Sequence, residues 1–200
     1  MHGDGVSTGH GGSRWAKRRM ECMVIANVDR DRLRAHVRDI PDFPAPGVMF
    51  RDVTPLMADH DTFVEAVDAF AGVFAQYDID VVVGIEARGF IFGAPVAYRF
   101  GAGFVPVRKA GKLPGETRSI TYDLEYGTET LELHEFAIEP AASVLIIDDV
   151  LATGGTAAAT AQLIEQVGAE VVGLGFLVEL TDLNGAAKLD GYQHLSLLKY

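Results

Sequence analysis

Continuous apolar runs alternate with stretches of helical spacing over most of the chain. Because a strand covered on both faces shows no polar alternation, the apolar runs predict buried strands at residues 79–85, 104–107, 142–148 and 171–178. Helical spacing predicts helices at residues 61–77, 93–100 and 156–167. Asp61 is the expected cap of the first helix. Strands that alternate with helices form βαβ units, so we expect one α/β domain with a mostly parallel, twisted sheet flanked by helices.

Apolar spacing near the start of this domain predicts a short amphipathic helix. Leu33, Val37 and Ile40 lie at positions i, i+4 and i+7 of a charged stretch, and Pro41 would end the helix. We expect this helix to cover part of the core. Residues 42–47 should form a shaped loop, because each proline there removes an amide donor and restricts the residue before it.

The pattern changes between residues 108 and 140, where the chain becomes polar and charged. Leu131 and Leu133 alternate with polar residues, which predicts an exposed antiparallel strand. Connections of this length in compact domains are usually functional or disordered. We therefore expect a flexible β lid beside a binding site.

The first 28 residues differ in composition from the rest of the chain. They are rich in glycine up to Gly12 and contain a basic run at residues 14–19. Such a segment buries too little apolar surface to order itself. We expect residues 1–28 to be a disordered N-terminal extension and residues 29–200 to form the domain.

Charge and composition disfavour several classes of partner. The chain has 200 residues and a formal net charge of −11, which would repel a nucleic-acid backbone or an anionic membrane surface. No apolar stretch approaches the ~20 residues that a membrane span needs. Cys22 is the only cysteine and the six histidines are scattered, so we expect no intrachain disulfide and no recognised metal-ligand spacing. A cytoplasmic protein with no nucleic-acid and no membrane partner fits these features best.

The clearest chemical signal lies between Val144 and Thr156. A predicted strand leads into the adjacent acids Asp148 and Asp149, and a turn of small residues precedes a helix. Amides at a helix N-terminus bind phosphate, and carboxylates accept hydrogen bonds from vicinal hydroxyls. The combination indicates a site for a phosphorylated sugar at the carboxyl edge of the sheet. The alternative is a capped turn with solvated acids.

Further motifs accompany this segment in a fixed order. They are PDFP at 41–44, GVMFRD at 47–52, ARGF at 87–90, RK at 108–109, GKLP at 111–114 and LEYG at 124–127. Together with residues 148–156 they resemble the type I phosphoribosyltransferases, and within that family the branch that uses adenine. The resemblance covers roughly Leu33 to Tyr200. It implies the fold of that family, with a small hood from the N-terminal segment and a flexible β lid.

The resemblance implies an enzyme of purine salvage. Its reaction would transfer ribose 5-phosphate from phosphoribosyl diphosphate (PRPP) to N9 of adenine, giving AMP and pyrophosphate. Mg²⁺ bound mainly through PRPP and a homodimeric assembly are implied as well. Two alternatives stay open, namely transfer to another purine such as xanthine, and a PRPP-binding regulator without catalysis. The regulator would need a nucleic-acid-binding element, for which the chain has no room.

The resemblance also assigns roles to individual residues. Those implied to bind PRPP are Arg88, Arg108, Lys109, Lys112, Tyr126, Asp148, Asp149, Ala152, Thr153, Gly154, Gly155 and Thr156. Those implied to bind adenine are Met49, Phe50, Arg51 and Val150. Asp148 and Asp149 would contact Mg²⁺ through water, and the peptide bond before Ala87 would be cis.

The catalytic carboxylate is implied at Glu125. Relatives that use oxopurines usually carry a carboxylate where this chain has Ala152, so the acid that serves the base would come from elsewhere. The resemblance to the adenine branch implies that the lid supplies it. The alternatives are structural. Glu125 would be an ordinary strand-edge acid and Arg88 a surface cation. Phe50 would be a buried anchor beside an exposed Arg51.

Overall fold

The computed structural model describes residues 28–123 and 127–200. The expected N-terminal extension lies outside this range apart from Val28, so the proposed domain boundary stays a prediction. Glu125 and Tyr126 also lie outside the described residues. The strands of the described chain are β1 (Arg38–Pro41), β2 (Met49–Asp52), β3 (Val81–Ile85), β4 (Gly103–Lys109), β5 (Thr117–Asp123), β6 (Thr128–His134), β7 (Ser143–Leu151), β8 (Glu170–Glu179) and β9 (His194–Lys199). The helices are α1 (Arg30–Ala35), α2 (Thr54–Ala58), α3 (His60–Phe74), α4 (Gly89–Phe100) and α5 (Gly155–Gln166), with 3₁₀ turns at Thr181–Leu183 and Gly185–Leu189. Within the described ranges, none of these helices has the length and apolar character needed to cross a bilayer.

A seven-stranded sheet forms the centre of the described chain, in the order β5-β6-β4-β3-β7-β8-β9. Neighbouring strands from β4 to β9 in this order run parallel. β5 and β6 form an antiparallel hairpin, and β6 pairs antiparallel with β4. The prediction of a mostly parallel sheet is confirmed, and the four apolar runs correspond to β3, β4, β7 and β8.

Both faces of the parallel strands are buried. On one face, Val83 and Ile146 belong to a core cluster that includes Leu163 of α5. On the other face, Val82 and Ile147 belong to a cluster with α3 and α4. Side chains of a strand alternate between faces, and both faces are buried from Val82 to Ile85 in β3 and from Val144 to Ile147 in β7, which explains their continuous apolar sequence.

The capping residue of α3 differs from the prediction. Oδ1 of Asp59 accepts a hydrogen bond from the amide of Thr62 at 2.9 Å, so Asp59 is the cap. Asp61 lies inside the first turn and pairs with Arg32 at 3.1 Å. A capping carboxylate has to precede the helix to reach the free amides, and the apolar spacing placed the helix start too late. The helix ends at Phe74, before the predicted end.

Helix α4 begins at Gly89, earlier than the predicted start at residue 93. A Cβ at Gly89 would lie 2.8 Å from Oδ1 of Asp148, and one at Gly93 would lie 3.0 Å from the ring of Phe104. These glycines are required because α4 packs closely on the sheet, whereas their sequence pattern also fits a turn.

The predicted helix over residues 33–40 is wrong beyond its first part. Leu33 is buried in α1, which ends at Ala35, whereas Ile40 lies in β1. β1 pairs antiparallel with β2 across the loop of residues 42–48, and the spacing of three apolar residues cannot distinguish a helix from a helix turn followed by a short strand. β1, β2 and the loop between them form the small hood, which is a sheet of its own.

The β5–β6 hairpin is the predicted antiparallel element, but the prediction that its leucines lie on an exposed strand is wrong. Leu131 and Leu133 are at most 1% exposed and share a core cluster with Leu163 of α5. The intervening residues of β6 are less buried, so the alternation marks a sheet with one covered face. The tip of the hairpin lies outside the described residues, and its mobility stays a prediction.

Candidate active site

The acid pair lies where the central sheet opens. From β3 the chain crosses through α4 to β4, and from β7 it crosses through α5 to β8 on the opposite side of the sheet. Ligands of open α/β sheets bind at such a switch point, outside the carboxyl ends of the strands. β3 pairs with β7 only as far as Gly84↔Ile147, whereas β7 continues along β8 to Leu151. Asp148 and Asp149 thus lie inside β7, just after its last pair with β3.

The two carboxylates differ in how far the protein satisfies them: Oδ1 of Asp148 accepts a hydrogen bond from the amide of Asp149 at 2.9 Å, whereas Asp149 has an oxygen without one. Nε of Arg88 lies 2.6 Å from Oδ2 of Asp149, yet this buried oxygen accepts no hydrogen bond of good geometry from the described chain. Burial, and then the charge of Asp149, raise the pKa of Asp148 well above its ordinary value. Burial also raises the pKa of Asp149, although Arg88 opposes the shift. The buried oxygen of Asp149, beside the partly exposed carboxylate of Asp148, favours a polar ligand such as the hydroxyls of a sugar.

The turn between β7 and α5 forms a cradle of small residues at 152–156. Gly154 has φ +76°, and α5 begins at the next residue. The cradle borders a pocket of about 70 Å³ together with Asp148 and Val150. Free amides and the positive end of the helix dipole suit a phosphate group there.

The cradle is supported by Gly185, which the sequence patterns did not indicate. A Cβ at Gly154 would lie 2.2 Å from the carbonyl oxygen of Gly185, and a Cβ at Gly185 would lie 2.1 Å from that of Ala152. The two backbone segments therefore touch, with no room for a side chain on either glycine. A single glycine in a distant loop carries no signal of such a contact.

The basic residues predicted to bind PRPP are engaged with carboxylates. Glu86 accepts hydrogen bonds from Nε of Arg108 at 3.2 Å and from Nζ of Lys112. Nζ of Lys109 lies 2.5 Å from Glu129. Burial would raise the pKa of Glu86, but hydrogen bonds from Lys112 and from the amide of Lys109, with the nearby cations, lower it below its ordinary value. The structure thus brings Arg108, Lys109 and Lys112 to the edge of the site, where each already forms an ion pair with a carboxylate.

Glu86 is a site residue that the sequence analysis missed. It directly follows the predicted strand at 79–85 and precedes the ARGF motif, so its position at the carboxyl end of a buried strand was an available signal. The peptide bond between Glu86 and Ala87 is cis, as the resemblance implies.

Tyr122 of β5 was also missed, and it connects the lid to the cradle. Its hydroxyl lies 2.9 Å from Oγ1 of Thr156 and 3.3 Å from Oε2 of Glu129. Its ring lies 3.4 Å from the position that a Cβ at Gly155 would occupy. The base of the lid therefore rests on the N-terminus of α5. The predicted lid residues Glu125 and Tyr126 lie outside the described range.

The hood strand β2 divides the residues predicted to bind adenine between its two faces. The ring centroid of Phe50 lies 5.3 Å from Cζ of Arg88. Met49 and Arg51 alternate with Phe50 along the strand and line a different pocket, of about 340 Å³. Val150 lies in β7, partly buried against the core. The structure brings Phe50 to the acid-pair side of the hood and holds Arg51 elsewhere.

Arg51 has partners from the end of the chain that the sequence analysis missed. Its guanidinium pairs with Asp39 of β1, and its Cζ lies 4.2 Å from the ring centroid of Tyr200. Leu180 and Leu183 complete the same pocket. No local pattern links residues of β2 to this distant segment.

Known proteins similar to this chain include several adenine phosphoribosyltransferases. The family model described as a phosphoribosyl transferase domain matches residues 58–193. An adenine phosphoribosyltransferase of Alkaliphilus metalliredigens is 56% identical, over 84% of this chain and 99% of its own length. The crystal structure of adenine phosphoribosyltransferase from Thermoanaerobacter pseudethanolicus has a TM-score of 0.83 and 48% identity, and covers 86% of this chain and 99% of that one.

The Saccharomyces cerevisiae adenine phosphoribosyltransferase was solved with adenine and an imino-altritol bisphosphate. It has a TM-score of 0.80 and 41% identity, over 84% of this chain and 98% of that one. Since the family model and these relatives each span most of the chain, it belongs to the phosphoribosyltransferase family, in the group of the adenine phosphoribosyltransferases.

Proposed function

We propose that this protein transfers ribose 5-phosphate from PRPP to N9 of adenine, giving AMP and pyrophosphate in purine salvage. The observation that carries the proposal is an acid pair and a phosphate cradle at the switch point of the sheet, in a chain 56% identical to an adenine phosphoribosyltransferase. Adenine in the related yeast structure supports a purine acceptor.

PRPP would lie along the carboxyl edge of β7. The cradle would hold the 5′-phosphate by amides and hydroxyls, and Asp148 and Asp149 would accept the ribose hydroxyls. Pyrophosphate would then face the basic residues Arg88, Arg108, Lys109 and Lys112, with Tyr126 closing over it. Glu86 already forms ion pairs with Arg108 and Lys112. Pyrophosphate would therefore bind to cationic side chains that the protein has positioned in advance.

Mg²⁺ is the proposed metal. Carboxylate oxygens suit this ion, which usually takes one or two of them and completes its shell with substrate phosphates and water. Asp149 offers a buried oxygen without a hydrogen bond, and Asp148 lies beside it. Within residues 28–123 and 127–200, no three His, Cys, Asp or Glu side chains cluster for a metal, so PRPP oxygens would supply most of the ligands. The bound ion would neutralise charge on the leaving pyrophosphate.

Adenine would bind against the hood. Phe50 would stack on the base, Met49 would offer backbone hydrogen bonds, and Val150 would cover the opposite side. The short distance between Phe50 and Arg88 supports this arrangement, because it brings the proposed base platform next to the PRPP site. Arg51 would close the pocket, which requires it to leave Asp39 and Tyr200.

Glu125 is the proposed catalytic carboxylate. Breaking the bond between C1′ and pyrophosphate builds positive charge on the sugar, and a lid carboxylate would stabilise this charge or accept the purine proton. Glu125→Gln should lower the single-turnover rate roughly 100-fold, since acid–base groups contribute at least this much. Glu139→Gln changes an exposed acid and serves as the control. A wild-type single-turnover rate in Glu125→Gln would rule this role out.

Base selectivity is tested by incubating the protein with Mg²⁺, PRPP and one base at a time. Adenine should give nucleotide and pyrophosphate, whereas hypoxanthine, guanine, xanthine and orotate should give little. An acceptor placed for the 6-amino group leaves polar groups unpaired against an oxopurine. Preference for xanthine would support the alternative enzyme, and PRPP binding without turnover of any base would support a regulator.

A homodimer in the cytoplasm is the proposed state of the protein. Ile91, Ala94 and Tyr98 form an exposed apolar stripe along α4, and Tyr98 is 86% exposed. A second copy of the chain would cover this stripe. Tyr98→Asp should raise the dimer dissociation constant roughly tenfold or more in sedimentation experiments, because it buries an unpaired charge. The control is Phe136→Asp, at a residue that is 80% exposed beside the lid. It should leave the dimer dissociation constant unchanged. A Tyr98→Asp dimer as tight as wild type would contradict this interface.

A further inference from the structure

The base of the lid carries a chain of polar contacts between the two proposed phosphate-binding ends of the site. Nζ of Lys109 lies 2.5 Å from Oε1 of Glu129. Oε2 of Glu129 lies 3.3 Å from the hydroxyl of Tyr122, which in turn lies 2.9 Å from Oγ1 of Thr156. We call these four residues the lid-base chain. It links β4, both strands of the hairpin and the first turn of α5.

The charge states of Tyr122 and Lys109 in the lid-base chain are stable near neutral pH. Burial is the main cause that raises the pKa of Tyr122, so its phenol keeps its proton. The hydrogen bond to Glu129 is the main cause that raises the pKa of Lys109, so its ammonium stays charged. The lid-base chain can therefore change the direction of its hydrogen bonds without changing its charges.

The number of protons restricts those directions. Tyr122 has one hydroxyl proton and donates it either to Glu129 or to Thr156. While Thr156 donates to Tyr122, Tyr122 donates to Glu129. A phosphate in the cradle only accepts hydrogen bonds, so the hydroxyl of Thr156 donates its hydrogen bond to the phosphate. Tyr122 then has to donate to Thr156, and the carboxylate of Glu129 is left to Lys109 alone.

We propose that Tyr122 and Glu129 are positioning residues that transmit the binding of a phosphate in the cradle to Lys109. This inference rests on the proposed function, which puts the 5′-phosphate of PRPP in the cradle and pyrophosphate beside Lys109. A Lys109 ammonium held more firmly by Glu129 loses conformational freedom before pyrophosphate binds, so the binding of pyrophosphate costs less entropy. The two ends of PRPP therefore bind cooperatively.

The direct test measures the coupling between two separate ligands. Isothermal titration calorimetry gives the affinity for pyrophosphate with Mg²⁺, in the absence and presence of saturating ribose 5-phosphate. In the wild type, ribose 5-phosphate should strengthen pyrophosphate binding roughly two- to tenfold, the range of one net hydrogen bond. In Tyr122→Phe the factor should fall to about one, because the hydroxyl that changes its hydrogen-bond partner is lost. In Glu129→Gln it should also fall to about one, because the neutral amide no longer forms the ion pair with Lys109.

Thr121→Val is the matched control on the same strand. It removes a hydroxyl that lies 2.8 Å from Oγ1 of Thr130 on the hairpin, away from the cradle, and should keep the wild-type coupling factor. In steady-state assays, Tyr122→Phe should raise KM for PRPP by roughly the lost coupling factor and leave KM for adenine and the Tm unchanged. A merely structural role would lower the Tm and would not change the two KM values selectively.

Each outcome has a separate meaning. Equal coupling factors in Tyr122→Phe and the wild type would overturn the inference, as would a wild type that binds both ligands without coupling. A wild type that binds neither ribose 5-phosphate nor pyrophosphate would contradict the proposed function itself, and the inference would fall with it.

Discussion

Gly154→Ala should raise KM for PRPP on the order of 100-fold, the effect of misplacing a binding group by about 1 Å. An alanine at φ +76° is strained, and its Cβ would lie 2.2 Å from the carbonyl oxygen of Gly185. Because that oxygen belongs to the backbone, the cradle itself has to move away from the phosphate position. The measurement is the initial rate against PRPP concentration at saturating adenine.

Gly101→Ala is the control that separates the effect of backbone strain from that of a steric clash. Gly101 has φ +67°, but no heavy atom lies within 4 Å of the position that a Cβ would occupy there. Its alanine variant should therefore lose about 1–2 kcal/mol of unfolding free energy and keep the wild-type KM. Gly185→Ala should repeat the defect of Gly154→Ala, since its Cβ would lie 2.1 Å from the carbonyl oxygen of Ala152. A folded Gly154→Ala protein that saturates at wild-type PRPP concentrations would disprove the role of the cradle.

Asp148→Asn should weaken PRPP binding and at the same time stabilise the protein. The loss of a charged acceptor for the ribose hydroxyls should cost about 1.5–3 kcal/mol of binding, roughly 10- to 150-fold in affinity. Stability should rise because burial and the neighbouring Asp149 charge raise the pKa of Asp148 well above its ordinary value. The ionised carboxylate that the substrate needs therefore destabilises the folded protein.

The pH dependence of stability follows from the direction of this pKa shift. A carboxyl group whose pKa is higher in the folded than in the unfolded state stabilises the fold fully below the unfolded pKa, and this contribution is lost as the pH rises through the folded pKa. Asparagine does not ionise, so the Asp148→Asn variant loses no stability in this way as the pH rises. The Tm of Asp148→Asn should thus exceed that of the wild type at pH 7, and the difference should shrink as the pH falls towards about 4.

Asp149→Asn is the comparison that separates the two acids. It too should weaken PRPP binding, but it removes the negative charge that lies 2.6 Å from Nε of Arg88, so it should not stabilise the protein to the same extent. Unchanged PRPP saturation in both variants would count heavily against the acid pair as the ribose site. A lower Tm for Asp148→Asn at pH 7 would contradict the role of burial.

The parts of the fold that the sequence predicts are those whose signal is local. β3 and β7 are covered on both faces, so each is a short apolar run whose character does not depend on the partner strand. The acid pair and the cradle follow β7 directly, so the switch-point site could be located before the sheet order was known. The resemblance then named the donor and the acceptor.

Two of the missed features depend on contacts between distant segments. Tyr122 and Thr156 are 34 residues apart. The backbone at Gly154 contacts Gly185, which lies in the segment between β8 and β9. The pairing of β1 with β2 was hidden because three apolar residues at helical spacing also fit a short strand after a helix turn. Each of these contacts needs the three-dimensional arrangement, since neither partner has an unusual sequence of its own.

The separate hydrogen bonding of the hood has a consequence for how this type of enzyme diversifies. Over the described residues, β1 and β2 pair only with each other and not with the seven-stranded sheet. The proposed acceptor platform and the donor cradle are therefore distinct modules, joined by side-chain contacts such as that between Phe50 and Arg88. Exchange of the hood between homologues offers a route to new base preferences that leaves the recognition of the sugar phosphate intact.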